Sequence, residues 1–450
     1  MVSQGLRGIM KRQLKLVSRR DWMILATVFA LFFVCFRWAP HLWLLDRAIG
    51  TDLHFYYLTW DEYSASLVFG RLEQNGIGGI FSDSMSLGLD GGYTRQYGLA
   101  GWLVTLPSSL IGQYGAFGGA LILTIVSAFN ALLATAAVRA IRRTLSLGAA
   151  ILVTIGILQP WSVSIARNVY WFIGIKLLAA AILILLFAWQ RDTTRRVLGI
   201  SFVFTLVACL SGYEMFTLVA AAQFAVIAFY SLQRRWSLAT TIRSGLTVAG
   251  GVLGGFVAAI GIHLLQLYLR AGNLTRIDEL LQSVSSRTGA TDAALGGQDA
   301  NAMGVSPITV LDTYLSMPVF GVRTSLPILR NFTVGAFILM VLVVIVITFA
   351  TRKQTVRAIN EQAMGVAWIV SLMGALGWFL LARPHSYMHT FIVFALWFLP
   401  TIPLGLGLLW GPLRRGFDGL AARPIAMFWI ALVAVALVLS FIYSLISVRS

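Results

Sequence analysis

Two adjacent carboxylates, Asp61 and Glu62, stand in Thr59-Trp60-Asp61-Glu62-Tyr63, at the head of a polar run that extends to about Gln96. A carboxylate acts as a general base when it lies within hydrogen-bond reach of the hydroxyl it deprotonates. The pair also suits the first turn of a helix, where acids are favoured and Thr59 with Glu62 makes a capping box. Asp52 and His54 add polar groups a few residues upstream. Cations able to hold a phosphate are spread over separate segments: Arg95, Arg167 and Arg383, with Lys176 inside an apolar run. Arginine forks onto phosphate oxygens and lysine supplies a compact charge, although each could equally snorkel toward headgroups. His385 and His389 are four residues apart, one helical turn, a spacing open to a metal pair, phosphate contact or acceptor binding. Tyr97, Tyr170, Tyr213 and Glu214 complete the set of candidate substrate contacts, and Glu214 between two apolar runs is a functional candidate by its position.

What must position these residues is a membrane-embedded chain. Of 450 residues, 58% are hydrophobic and only 11% charged, against about 25% charged in soluble domains. The net charge of +17 sits in short basic clusters between apolar runs, which fits topology signals and not a nucleic-acid surface. Cys35 and Cys209 both lie in apolar runs, so neither a disulfide framework nor a thiolate metal site is indicated. The basic N-terminus leads into apolar sequence from Trp22 with no small-x-small cleavage site, which predicts an uncleaved first helix.

Runs of about 20 apolar residues predict eleven spans: 22–43, 116–138, 146–164, 170–189, 197–212, 214–231, 245–268, 332–350, 364–381, 387–410 and 425–447. Residues 98–113 decide the parity. If they lie along the outer surface, the clusters at 139–143, 191–196, 234–243, 352–357 and 414–423 all face the cytoplasm, as the positive-inside rule requires. The inner segments then hold 21 of the 34 Lys and Arg but only Asp21, Asp192, Glu361 and Asp418 among the acids, so the whole net charge lies on one side. The expectation is one all-α polytopic domain over 1–450, N-terminus cytoplasmic, with two long outer loops at about 44–115 and 269–331. The first loop carries amphipathic helical patterns; the second is Gly-, Ala- and Ser-rich, a composition that suits a lid. Four of the five histidines and the candidate acids and arginines fall at the outer face, which points to a polar site built there from several turns.

This arrangement resembles the GT-C superfamily of membrane glycosyltransferases, the group of the protein O-mannosyltransferases and the lipid A aminoarabinose transferase. The residues that carry the likeness are Asp61-Glu62-Tyr63 with Ala65 and Leu72, then Tyr97-Gly-Leu-Ala-Gly-Trp102 leading an interfacial helix, then a span ending at Arg139–Arg143. The resemblance implies sugar transfer on the outer face from a polyprenyl-phosphate donor to a cell-envelope glycan, lipid or protein. It implies Asp61 as the residue that activates the acceptor, with Glu62 beside it. Arg95 stands near the place of a phosphate-contacting lysine in some members, but Arg95-Gln96-Tyr97 replaces their Lys-Pro-Pro pattern. Arg167, Lys176, Arg383 and His385 would hold the donor phosphate; Asp52, His54, Tyr97, Tyr170, Tyr213, Glu214 and His389 would line the substrate site. A bacterial inner membrane with a periplasmic site is the expected location. No cofactor is required by the pattern and a divalent metal stays open. An O-antigen-type polymerase or ligase and a lipid-linked glycan flippase are the alternatives, and transporters place their key polar groups near the midplane on broken helices.

Overall fold

The computed structural model describes residues 19–42, 97–112, 115–271, 305–319, 332–350 and 355–420, with isolated positions at 44, 277, 278 and 281. Asp61, Glu62, Asp52, His54 and Arg95 lie outside the described residues, as do most of both long loops and the expected span 425–447.

Every element among the described residues is helical. The chain runs through α1 (Arg19–Trp38), α2 (Leu99–Leu110), α3 (Gly115–Thr144), α4 (Leu147–Leu158) and α5 (Pro160–Arg167). It continues through α6 (Ile173–Ala188), α7 (Thr194–Leu210), α8 (Phe216–Gln233) and α9 (Leu238–Ala271). After these come α10 (Pro307–Ser316), α11 (Val334–Ala350), α12 (Val356–Leu381), α13 (Arg383–Met388) and α14 (Thr390–Val393). A 3₁₀ turn, Phe394–Phe398, then leads into α15 (Thr401–Leu420). Among the described residues five helices are long and apolar enough to cross a membrane: α1, α3, α8, α9 and α12. The bent pair α4–α5 makes a sixth if counted as one span, and α6 and α11 are shorter apolar helices.

Two contacts give the relative direction of α1 and α3. Asp21 at the start of α1 lies 3.5 Å from Arg142 near the end of α3, and Arg37 at the end of α1 donates to Thr124 near the start of α3. The two helices are therefore antiparallel, and the chain between them begins and ends at one end of the bundle. Helix α2, 12 residues with Pro107 inside it, is about 18 Å long and too short for a hydrocarbon core of about 30 Å. It does not span.

The basic clusters share the other end. Asn360, at the start of α12, donates to the Thr144 carbonyl at the end of α3 and accepts from Gln233 at the end of α8. Nearby, Arg234 pairs with Asp192 at 3.0 Å and covers the Tyr230 ring, while Arg357 pairs with Glu361 at 2.9 Å.

Two expected spans are broken. Residues 146–164 bend by 65° at Gln159-Pro160, because Pro160 has no N–H for the preceding turn and restarts the helix at its own first position. Residues 387–410 do not form one helix: α13, α14 and the 3₁₀ turn end at Leu399, held extended by the following Pro400, and α15 starts at Thr401.

Apolar cohesion counts for little between helices in lipid, so close packing and buried hydrogen bonds hold the bundle. Helices α7 and α9 meet at Gly251 and Gly255, where a Cβ would lie 2.5 Å from the Ser201 side chain or the Phe202 carbonyl. Helices α8 and α12 meet at Gly374, with the Thr217 carbonyl 3.1 Å from the corresponding Cβ position. Gln223 donates to Thr205 between α8 and α7, and the Trp368 indole donates to the Thr401 carbonyl, tying α12 to α15.

Candidate functional site

The end of the bundle opposite the basic clusters collects the described candidates in three groups. The first surrounds Arg167. Helix α5 carries it to its last turn, and Asn130 on α3 fixes that turn by donating to the Ala166 carbonyl at 2.7 Å. Asn168 then accepts from the Trp171 N–H at 2.9 Å, which shapes the turn into α6 and holds Tyr170 edge-on to Trp171. Arg167 is near enough to Arg37 to repel it, and near enough to His41 to disfavour its protonated form. Those two come from the end of α1 and the segment just beyond it, where Ala39, in the left-handed region at φ 48°, and Pro40 close the helix.

His41 is oriented by one hydrogen bond. Its Nε2 lies 2.8 Å from the Leu158 carbonyl, which can only accept, so Nε2 carries the proton and Nδ1 of the neutral ring does not. Burial holds the imidazole below its usual pKa of 6.5; the Leu158 carbonyl opposes this and the Arg167 charge adds to it. Among the described residues, Nδ1 of His41 and one terminal nitrogen of Arg167, Nη1, are buried and have no hydrogen-bond partner. Three basic groups from three elements thus converge with spare hydrogen-bonding capacity, and a carboxylate is not among their described partners. Neither Arg37 nor His41 is named among the candidate site residues that the sequence singles out; His41 is one of the four histidines expected at the outer face. The signal available was an ionisable residue inside an apolar run, which marks function by default.

The second group is built on the α7–α8 turn. Lys176, 2% exposed, donates at 2.7 Å to both the Ala208 and the Gly212 carbonyls. These are carbonyls of the last turn of α7 and the residues after it, so the lysine serves as a C-cap. Its charge also interacts with buried Glu214. Lys176 is thus held by backbone at the end of α7. Tyr213 bonds through its hydroxyl to His263 Nδ1 and the Ala259 carbonyl, each at 3.3 Å, and stacks on the His263 ring; Tyr97 meets the same ring edge-on. The structure therefore brings Tyr97 and Tyr213 onto His263, a histidine inside an expected span, and sets Lys176 beside Glu214 at the same turn.

The third group lies on α13. His385 and His389 have ring centroids 4.7 Å apart, and Trp378 meets His385 edge-on. The helix is anchored from α10, where the Tyr314 hydroxyl donates to the Ser386 carbonyl at 2.7 Å while its ring stacks on Phe379. Arg383 is half-buried, with its Nε lacking a hydrogen-bond partner among the described residues. Among the described residues no three His, Cys, Asp or Glu side chains are grouped as metal ligands.

Comparison with protein-family models, with curated proteins and with solved structures finds no match.

Proposed function

We propose that the chain is a membrane glycosyltransferase that moves a sugar from a polyprenyl-phosphate donor to a cell-envelope acceptor. The observation that carries the reading is the convergence of Arg37, His41 and Arg167 at the ends of membrane helices, with Nδ1 and Nη1 buried and unbonded among the described residues. Crowded like charges favour an anion, and guanidinium groups match phosphate oxygens. At the end of a membrane helix, a phosphate on a long lipid tail is the ligand within reach. The positive-inside rule puts the basic end in the cytoplasm and this site on the outer face of a bacterial inner membrane.

In this reading the acceptor hydroxyl attacks the anomeric carbon as the bond from that carbon to the phosphate oxygen breaks. Asp61 takes the hydroxyl proton, with Glu62 beside it. The polyprenyl phosphate leaves with the bonding electrons, and the cations hold its charge. A single displacement inverts the anomeric centre.

Proteoliposomes given a radiolabelled polyprenyl-phosphate sugar and native lipid extract test this. Wild type should transfer label, and Asp61→Asn should be slower by roughly 10²-fold or more at unchanged protein level. Undiminished transfer by the variant would remove Asp61 from the chemistry. Product size separates the addition of one sugar from polymerisation of repeat units.

A lipid-linked glycan flippase is the second reading, favoured by the two broken helices. They touch: Trp161 on α5 packs on Phe394 and Phe398, and Ser162 lies 3.5 Å from the Phe398 carbonyl. Those contacts are largely apolar, whereas transporter breaks present polar backbone to a substrate.

A further inference from the structure

A second basic site lies at the opposite end of the molecule, and it goes beyond the glycosyltransferase reading. A cavity of about 260 Å³ opens between α1 and α3, lined by Asp21, Leu25, Arg139, Arg142 and Arg143. That is several times the roughly 30 Å³ share of one water molecule. One carboxylate serves three guanidinium groups, so the lining holds two surplus positive charges. Asp21 is 3.5 Å from Arg142. Arg139 and Arg143 are four residues apart on one helix face, where like charges repel. The α3 C-terminus tolerates cations, which explains their presence but not a cavity that gathers them.

The surroundings set its depth. Leu25 forms an apolar wall, and Trp22, next to Asp21, is 62% exposed on α1. A tryptophan beside charged residues at the end of a membrane helix marks headgroup level. A soluble anion needs no apolar wall, whereas a lipid places its phosphate at this depth and its glycerol and first methylenes against Leu25.

We propose that this cavity seats the phosphate of an anionic membrane lipid. Basic pockets between membrane helices on the cytoplasmic side have the right chemistry for such headgroups. The bound phosphate would tie α1 to α3, the pair on which Arg37 and His41 are positioned at the far end.

The test measures lipid retained by the full-length protein, by native mass spectrometry after transfer from vesicles of phosphatidylcholine or of an equimolar mixture with phosphatidylglycerol. Wild type should retain phosphatidylglycerol selectively. The double variant Arg139→Gln/Arg143→Gln, which keeps the Arg142–Asp21 pair, should bind it roughly thirtyfold more weakly. Arg195→Gln/Arg196→Gln removes two exposed charges at the same end but outside the cavity, and should bind like wild type. Equal loss in both double variants would mean diffuse attraction and overturn the site. Equal affinity of all three proteins would overturn it as well. Inorganic phosphate is the last arm: if it displaces phosphatidylglycerol at equal concentration, the site takes a soluble anion and the lipid assignment falls. Thermal melting of each variant confirms that the compared proteins are folded.

Discussion

Lys176 and His41 are both basic residues buried among apolar neighbours, and their hydrogen bonds give them different work. Lys176 donates to two carbonyls at the end of α7 and lies beside Glu214, so Lys176→Met leaves acceptors and a carboxylate buried without their cation. That substitution should cost about 3 kcal/mol, seen as a lower melting midpoint in detergent; an unshifted midpoint would contradict the capping role. His41 has its folded pKa depressed, so it contributes stability above 6.5 that is lost as pH falls through the folded value. A bound phosphodiester reverses the preference, since protonated Nδ1 becomes a donor. Affinity for a polyprenyl-phosphate sugar should therefore rise as pH drops from about 7 to about 5, and His41→Phe should flatten the profile, read by equilibrium binding across pH. The phosphodiester itself does not titrate there. Residue types alone singled out Arg167, Tyr213 and Glu214. They could not reveal that Lys176 is satisfied by backbone, or that Arg37 and His41 close on Arg167, because both depend on where helix ends meet.

At the scale of elements, glycine spacing explains how helices without a hydrophobic drive between them stay together. Gly251 and Gly255 let the α9 backbone approach α7 to a separation that no side chain could share, whereas Gly245 and Gly261 on the same helix face open space. Gly255→Leu should cost about 3 kcal/mol or prevent folding, while Gly245→Leu and Gly261→Leu should be nearly neutral, measured by folded yield and melting midpoint. Comparable losses at all three positions would contradict the packing. Among the described residues, each of the five helices long enough to span coincides with an expected apolar run, and the run 98–113 holds a 12-residue helix. The breaks at Pro160 and Pro400 were hidden. Hydropathy is blind to a missing N–H, and a proline among apolar residues reads as continuous sequence.

For the whole molecule, antiparallel pairing separates a basic end from an end that holds Arg37, Arg167, Tyr213 and His385. Single cysteines placed in a chain lacking Cys35 and Cys209 report this directly. A membrane-impermeant thiol reagent added outside intact cells should label Tyr387→Cys, and should label Ser237→Cys only after the cells are opened; the reverse pattern would invert the topology. The catalytic carboxylates expected at Asp61 and Glu62 lie outside the described residues, whereas the cations that would receive the donor lie within them. The most direct measurement is equilibrium binding of a radiolabelled polyprenyl-phosphate sugar to purified wild type, Arg167→Gln and, as a control at the other end, Arg195→Gln. Wild type and the control should bind saturably with equal affinity, and Arg167→Gln should bind at least about tenfold more weakly while melting as wild type does. Absence of binding by wild type, or equal affinity in all three, would contradict the glycosyltransferase reading at its foundation.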